Sequence, residues 1–90
     1  MKINKAIQEF VDSAIASGYV SKEDRYYLLN RVLYLVGEES FESSKEVEQP
    51  SLLDAMANLV EAAVEDGKIA NDSEERDWLE QELMNLVIPK

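Results

Sequence analysis

Apolar residues recur every three to four positions in four separate stretches of this chain, and that spacing predicts four amphipathic helices. The first covers about residues 3 to 17, with Ile3, Ile7, Phe10, Val11, Ala14 and Ile15 along one side and Gly18 as a left-handed C-terminal cap. Ser21 is the expected N-cap of the second helix, with Asp24 completing an S-x-x-D capping box. This helix runs to about Val36 and stops at Gly37; its core stripe is Leu28, Leu29, Val32, Leu35 and Val36. Pro50 and Ser51 open the third helix, and Asp54 completes a second capping box. Its stripe is Leu52, Met56, Leu59, Val60, Ala63 and Val64, and it ends at Gly67. The fourth helix follows Asp72 or Ser73 as cap, buries Leu79, Leu83, Leu86 and Val87, and stops at Pro89. Residues 38–49 are acidic, Ser-rich and aperiodic, which predicts a linker, with Phe41 and Val47 available to tack it down.

The two halves share a pattern. Ala6, Val11, Ala14 and Gly18 match Ala55, Val60, Ala63 and Gly67 at one constant offset. Glu23, Arg25, Leu28, Leu35 and Val36 match Glu74, Arg76, Leu79, Leu86 and Val87 at an offset two residues larger. A single αα-hairpin leaves its apolar face in water, whereas two copies cover each other. The expected fold is therefore all-α: four helices as two repeated αα-hairpins joined by an acidic linker. The boundaries are hairpin 1 at about 3–37, linker 38–50 and hairpin 2 at about 51–88, in a single domain of residues 1–90.

Composition narrows the chemistry. Nine basic residues face nineteen acids, for a formal net charge of −10. No basic cluster offers a footprint for nucleic acid or an anionic membrane surface. No apolar run is long enough to span a bilayer, and the N-terminal stretch has no signal-peptide core, so a cytoplasmic location is expected. The absence of Cys removes disulfides and thiolate metal sites. The absence of His removes the commonest general base and metal ligand, and with it Cys–His and Ser–His–Asp catalysis. No catalytic residue, cofactor site or metal site is expected.

Two near-motifs fail. Asp66-Gly67-Lys68-Ile69 looks like the second half of an EF-hand calcium loop, and is similar to acidic metal-binding domains of the tellurite-resistance type. In the EF-hand alignment, Ala62 and Val64 stand where side-chain ligands belong, and Ser73 where the bidentate Glu belongs. A helix C-cap accounts for the glycine instead. An acyl carrier protein would need Asp-Ser-Leu at a helix start, but Ser51-Leu52 follows Pro50, and Asp12-Ser13-Ala14 lies inside the first helix.

A longer resemblance covers nearly the whole chain. Glu23, Asp24, Arg25, Tyr27, Asn30, Arg31, Val32 and Leu33 match an acid-Asp-Arg-x-Tyr-x-x-Asn-Arg-hydrophobic-Leu pattern. Glu75, Arg76, Asp77, Trp78, Leu83, Met84, Leu86 and Pro89 can be laid on a second pattern, though Trp78-Leu79-Glu80 departs from the usual Leu-Phe-Asp. On these residues the chain resembles the N-terminal region of class II galactose-1-phosphate uridylyltransferases of Gram-positive bacteria. The resemblance implies a parent enzyme that exchanges UMP between UDP-glucose and galactose 1-phosphate through a uridylylated histidine. That histidine would lie in a downstream His-Pro-His segment with no counterpart here. The implied role is a non-catalytic N-terminal domain excised from a longer enzyme; the alternative is a free-standing acidic module that binds a protein partner.

Helix two carries a second face. At about 100° per residue, Tyr27, Arg31 and Tyr34 project away from its core stripe, and Trp78 holds the position of Tyr27 in the second hairpin. Tyr, Trp and Arg are enriched at interface centres. Tyr27, Arg31, Tyr34 and Trp78 are therefore the expected interface to the rest of the parent enzyme or to another subunit.

Overall fold

A computed structural model describes residues 2–38 and 50–87. Four helices form: α1 (Lys2–Ala16), α2 (Arg25–Val36), α3 (Leu52–Glu65) and α4 (Ser73–Val87). A 3₁₀ turn at Lys22–Asp24 leads into α2. The described residues contain no strand, so the protein is all-α. The expected linker lies outside the described residues apart from its ends, Glu38 and Pro50, as do Phe41, Val47 and the stop at Pro89. Among the described residues, no helix is long and apolar enough to cross a membrane.

The stripes explain the packing. Except for Val64, which is half-buried, every core residue expected on the four helices is buried in one continuous cluster or packed against it, with Ile15, Leu35, Leu52 and Leu86 at its margin. The most extensive contact joins α1 and α3; α2 packs on α1, and α4 packs on both α3 and α2. The chain after the end of α1 (Ser17, Tyr19) shares a groove with the start of α3 (Ser51, Leu52, Leu53, Met56). Lys5 and Ala6, early in α1, share another with Ala62 and Glu65, late in α3. These two helices are therefore antiparallel.

Because α1 is covered on two sides, its burial is wider than its apolar stripe. Ala6, Gln8, Glu9 and Ser13 are buried along with the expected residues. Ser13 Oγ donates to the Pro50 carbonyl at 2.9 Å, which fixes the chain entering α3 onto α1.

Matched positions of the two halves hold similar geometry. Gly18 and Gly67 both have positive φ, at 81° and 74°. After each, a backbone N–H returns to the helix: Tyr19 to the Ala14 carbonyl at 3.0 Å, and Lys68 to the Ala63 carbonyl at 2.8 Å. This is the hydrogen bond that satisfies a late helical carbonyl when glycine turns left-handed. Arg25 pairs with Asp12 at 3.1 Å, and Arg76 pairs with Glu61, which stands in the second half where Asp12 stands in the first. Leu28 and Leu79 are buried, as are Val36 and Val87. Lys68, in the second turn, meets Glu38, just past α2, at 2.9 Å.

The helix starts differ from expectation at one place. Ser51 caps α3, its side chain accepting from the Asp54 N–H at 3.2 Å. Asp72 rather than Ser73 caps α4, its Oδ1 accepting from the Glu75 N–H at 2.8 Å. The capping box expected at Ser21 does not form. The 3₁₀ turn makes Asp24 the residue before α2, and Ser21 Oγ is spent on Asp24 Oδ2 at 3.1 Å. Neither side chain accepts a hydrogen bond from a helical N–H. Replacing Ser51 with Ala should therefore cost about 0.5–2 kcal/mol of unfolding free energy, and Ser21→Ala a few tenths at most. Urea unfolding of the two variants measures this directly; equal losses would contradict the assigned caps.

Candidate functional site

The α2 residues that face away from the core form the most distinctive surface. With its buried residues on one side, the helix carries Tyr26, Asn30, Tyr34, Tyr27 and Arg31 on the other, and all five are exposed. Tyr26, Tyr27 and Tyr34 are 76%, 66% and 78% exposed. Tyr27, Arg31 and Tyr34 stand one turn apart along this side, at the i, i+4, i+7 spacing that lets side chains on a helix meet one binding surface.

Arg31 differs from its counterparts. Arg25 and Arg76 are held by Asp12 and by Glu61, with Asn71 Oδ1 also 2.9 Å from Arg76 Nη1. Arg31 makes no ion pair among the described residues. A guanidinium left without a carboxylate, between two phenol rings, has five donors available to a partner.

Trp78 does not belong to this stripe. It stands on α4, 47% exposed, beside the buried Leu79. The structure therefore places Tyr27, Arg31 and Tyr34 on one face and Trp78 on the neighbouring helix. Tyr26 was missing from the expected set, although its angular position on α2 lies clear of the core stripe. That periodicity could have found it.

Two grooves flank the bundle elsewhere. One, of about 410 Å³, is lined by Tyr19, Leu52, Leu53, Met56, Met84 and Val87 among others. The other, of about 310 Å³, lies between α1 and α3 and is mainly acidic. Neither contains a nucleophile paired with a base. Among the described residues, no group of three or more His, Cys, Asp or Glu could hold a metal ion. What this surface can offer is recognition: aromatic area, phenolic hydroxyls and one unpaired guanidinium.

Comparison with known proteins gives this surface its context. No protein-family model matches the chain, and no solved structure matches it. Curated proteins do. The chain is 39% identical over 83 residues to "Galactose-1-phosphate uridylyltransferase 1" of Streptococcus pneumoniae serotype 4, covering 92% of this chain and 16% of that enzyme. It is 36% identical over 83 residues to the galactose-1-phosphate uridylyltransferase of Streptococcus mutans serotype c, with the same coverage. It is 39% identical over 85 residues to that of Lactiplantibacillus plantarum, covering 93% of this chain and 17% of the enzyme. The chain thus spans about one-sixth of the length of the relatives it matches. Over nearly its whole length, the chain is homologous to one segment of galactose-1-phosphate uridylyltransferases.

Proposed function

We propose that this chain serves as the helical, non-catalytic N-terminal domain of a cytoplasmic galactose-1-phosphate uridylyltransferase. The enzyme it serves would exchange UMP between UDP-glucose and galactose 1-phosphate. The observation that carries this reading is the 39% identity to such enzymes across more than nine-tenths of the chain. The chain's own residues support a non-catalytic part, because no histidine is present to carry UMP. The two halves are, on the same reading, copies of one αα-hairpin, supported by their matched glycine caps and ion pairs.

The domain docks through α2. Tyr27, Arg31 and Tyr34 bind the rest of the enzyme or another subunit, and Trp78 extends that contact onto α4. Three exposed tyrosines on a short helix, beside an unpaired arginine, supply the residue types that concentrate binding energy at interface centres. No nucleic acid or membrane enters this reading.

A hybrid enzyme tests it. This chain replaces the matching segment of the Streptococcus pneumoniae relative, with and without Tyr27→Ser, Arg31→Gln and Tyr34→Ser together. The unsubstituted hybrid should assemble and transfer UMP, while the isolated chain should transfer none. The triple variant should lose assembly or melt lower in the hybrid, yet shift the melting temperature of the isolated chain by no more than about 2 °C, well inside what ~1 kcal/mol produces in a domain this size. Unfolding of the isolated variant would make these residues core. An unaffected hybrid would make the face ordinary solvated surface.

A further inference from the structure

Among the described helices, α2 alone carries no acid. α1 has Glu9 and Asp12, α3 has Asp54, Glu61 and Glu65, and α4 has five, from Glu74 to Glu82. α2 has Arg25 and Arg31 instead. Arg25 is paired with Asp12. The charge of Arg31 is therefore left over, on the one acid-free helix of a chain with net charge −10. The exposed side around it is ordered. Tyr26, Asn30 and Tyr34 form one row at a four-residue spacing, and Tyr27 and Arg31 form the next. Rows at this spacing are the ridges by which helices interlock, and the space between two of them admits a ridge of another helix.

The three tyrosines stand toward the ends of these rows, and the nitrogen donors of Asn30 and Arg31 stand between them. Apolar side chains of an entering helix would meet the rings, while its central residue would meet the donors and a positive charge. An aliphatic residue at that centre would take water from Arg31 without replacing its hydrogen bonds. A carboxylate replaces them, in the two-pronged geometry that a guanidinium favours. The neighbouring helix limits how acidic the partner can be. α2 packs on α4, whose Glu74, Glu75, Asp77 and Glu80 are exposed, so a broadly acidic surface would be repelled there. A second copy of this chain is a poor occupant. Its own α2 offers Arg31 no carboxylate, and its net charge opposes the approach.

We propose that the α2 face receives an amphipathic helix from the remainder of the enzyme. That helix carries a single Asp or Glu midway along its docking stripe, which pairs with Arg31, and apolar residues about one turn to either side, which pack on Tyr26, Tyr27 and Tyr34. This rests on the docking of the domain through α2 and names what α2 docks against.

Photocrosslinking in the hybrid enzyme reads the occupant directly, once UMP transfer has shown that the hybrid is assembled. The photoreactive residue p-benzoylphenylalanine replaces either Tyr26 or Tyr34, at opposite ends of the face, so that Arg31 is kept in both. Mass spectrometry should return the same helical segment of the enzyme from both positions, attached on the two sides of one Asp or Glu. Arg31→Gln should weaken docking about tenfold, the loss of one charge-assisted pair, and lower the crosslink yield. The isolated chain with this substitution should melt within about 2 °C of the unsubstituted one, because the residue is exposed. Arg31→Glu should lower the yield further, and changing the identified Asp or Glu to Arg in the same hybrid should restore it. Crosslinks that persist unchanged in Arg31→Gln and Arg31→Glu would leave the docking of α2 standing and overturn its carboxylate partner. A crosslinked segment with no acid between the two attachment points would do the same, as would a reversed pair that fails to restore the yield. Crosslinks between two copies would assign the face to self-association and overturn the proposal. No crosslink from either position would overturn the docking of α2 itself and the proposal with it.

Discussion

Truncating Phe10 to Ala should cost about 3–5 kcal/mol of unfolding free energy, close to the whole stability of a small domain of this size. Phe10 is the largest of the fully buried side chains. It lies mid-way along α1, the helix that packs against both α3 and α2. Its ring belongs to the one buried cluster to which all four helices contribute. Removing it leaves a cavity that two helices would have to collapse into at once, and neither can move without losing its other contacts. The substituted protein should be largely unfolded at room temperature or unfold at very low urea. Phe10→Leu should lose less, because a branched side chain remains in the same space. Urea midpoints at constant m-value measure both losses. A loss below about 1 kcal/mol for Phe10→Ala would mean that the ring is not at the centre of the bundle.

Phe10 also shows what the sequence makes legible. It fell within the apolar stripe of the first helix, and the four stripes anticipated nearly the entire buried cluster. The glycine stops were equally legible, because a left-handed residue after a helix is a local requirement that three glycines meet at φ 71–81°. Less visible was how many neighbours each helix would have. Periodicity describes one helix at a time. It marks an apolar side but cannot tell that α1 is covered from two directions, so the burial of Gln8, Glu9 and Ser13 could not be anticipated. The start of α2 was misjudged for a related reason. A serine three residues before an aspartate fits both a capping box and a 3₁₀ turn, and the choice depends on the path of the chain after Gly18. On the candidate site, the exposed sides of Tyr27, Arg31 and Tyr34 followed from the angle they make with the core stripe. Tyr26 obeys the same angle but fills the variable position of the Asp-Arg-x-Tyr pattern, which marks only its neighbour.

The leucines at matched positions provide the second large effect. Leu28→Ala and Leu79→Ala should each cost about 2–5 kcal/mol. Both residues are buried, and each lies one turn beyond the arginine that pairs with an acid on the preceding helix. If the halves are built alike, their losses should be similar, because each leucine then fills the same place in its own hairpin. The double variant tells more. α2 packs directly on α4, so the two halves form one core rather than two that merely adjoin. Cavities opened in one shared core should couple, and the loss in the double variant should depart from the sum of the single losses by more than about 0.5 kcal/mol. Strict additivity would indicate two independent half-cores, each stabilised by its own first helix. A loss below about 0.5 kcal/mol at both single sites would go further, since it would place these leucines on the outer side of the bundle and the tyrosines of α2 on the inner one.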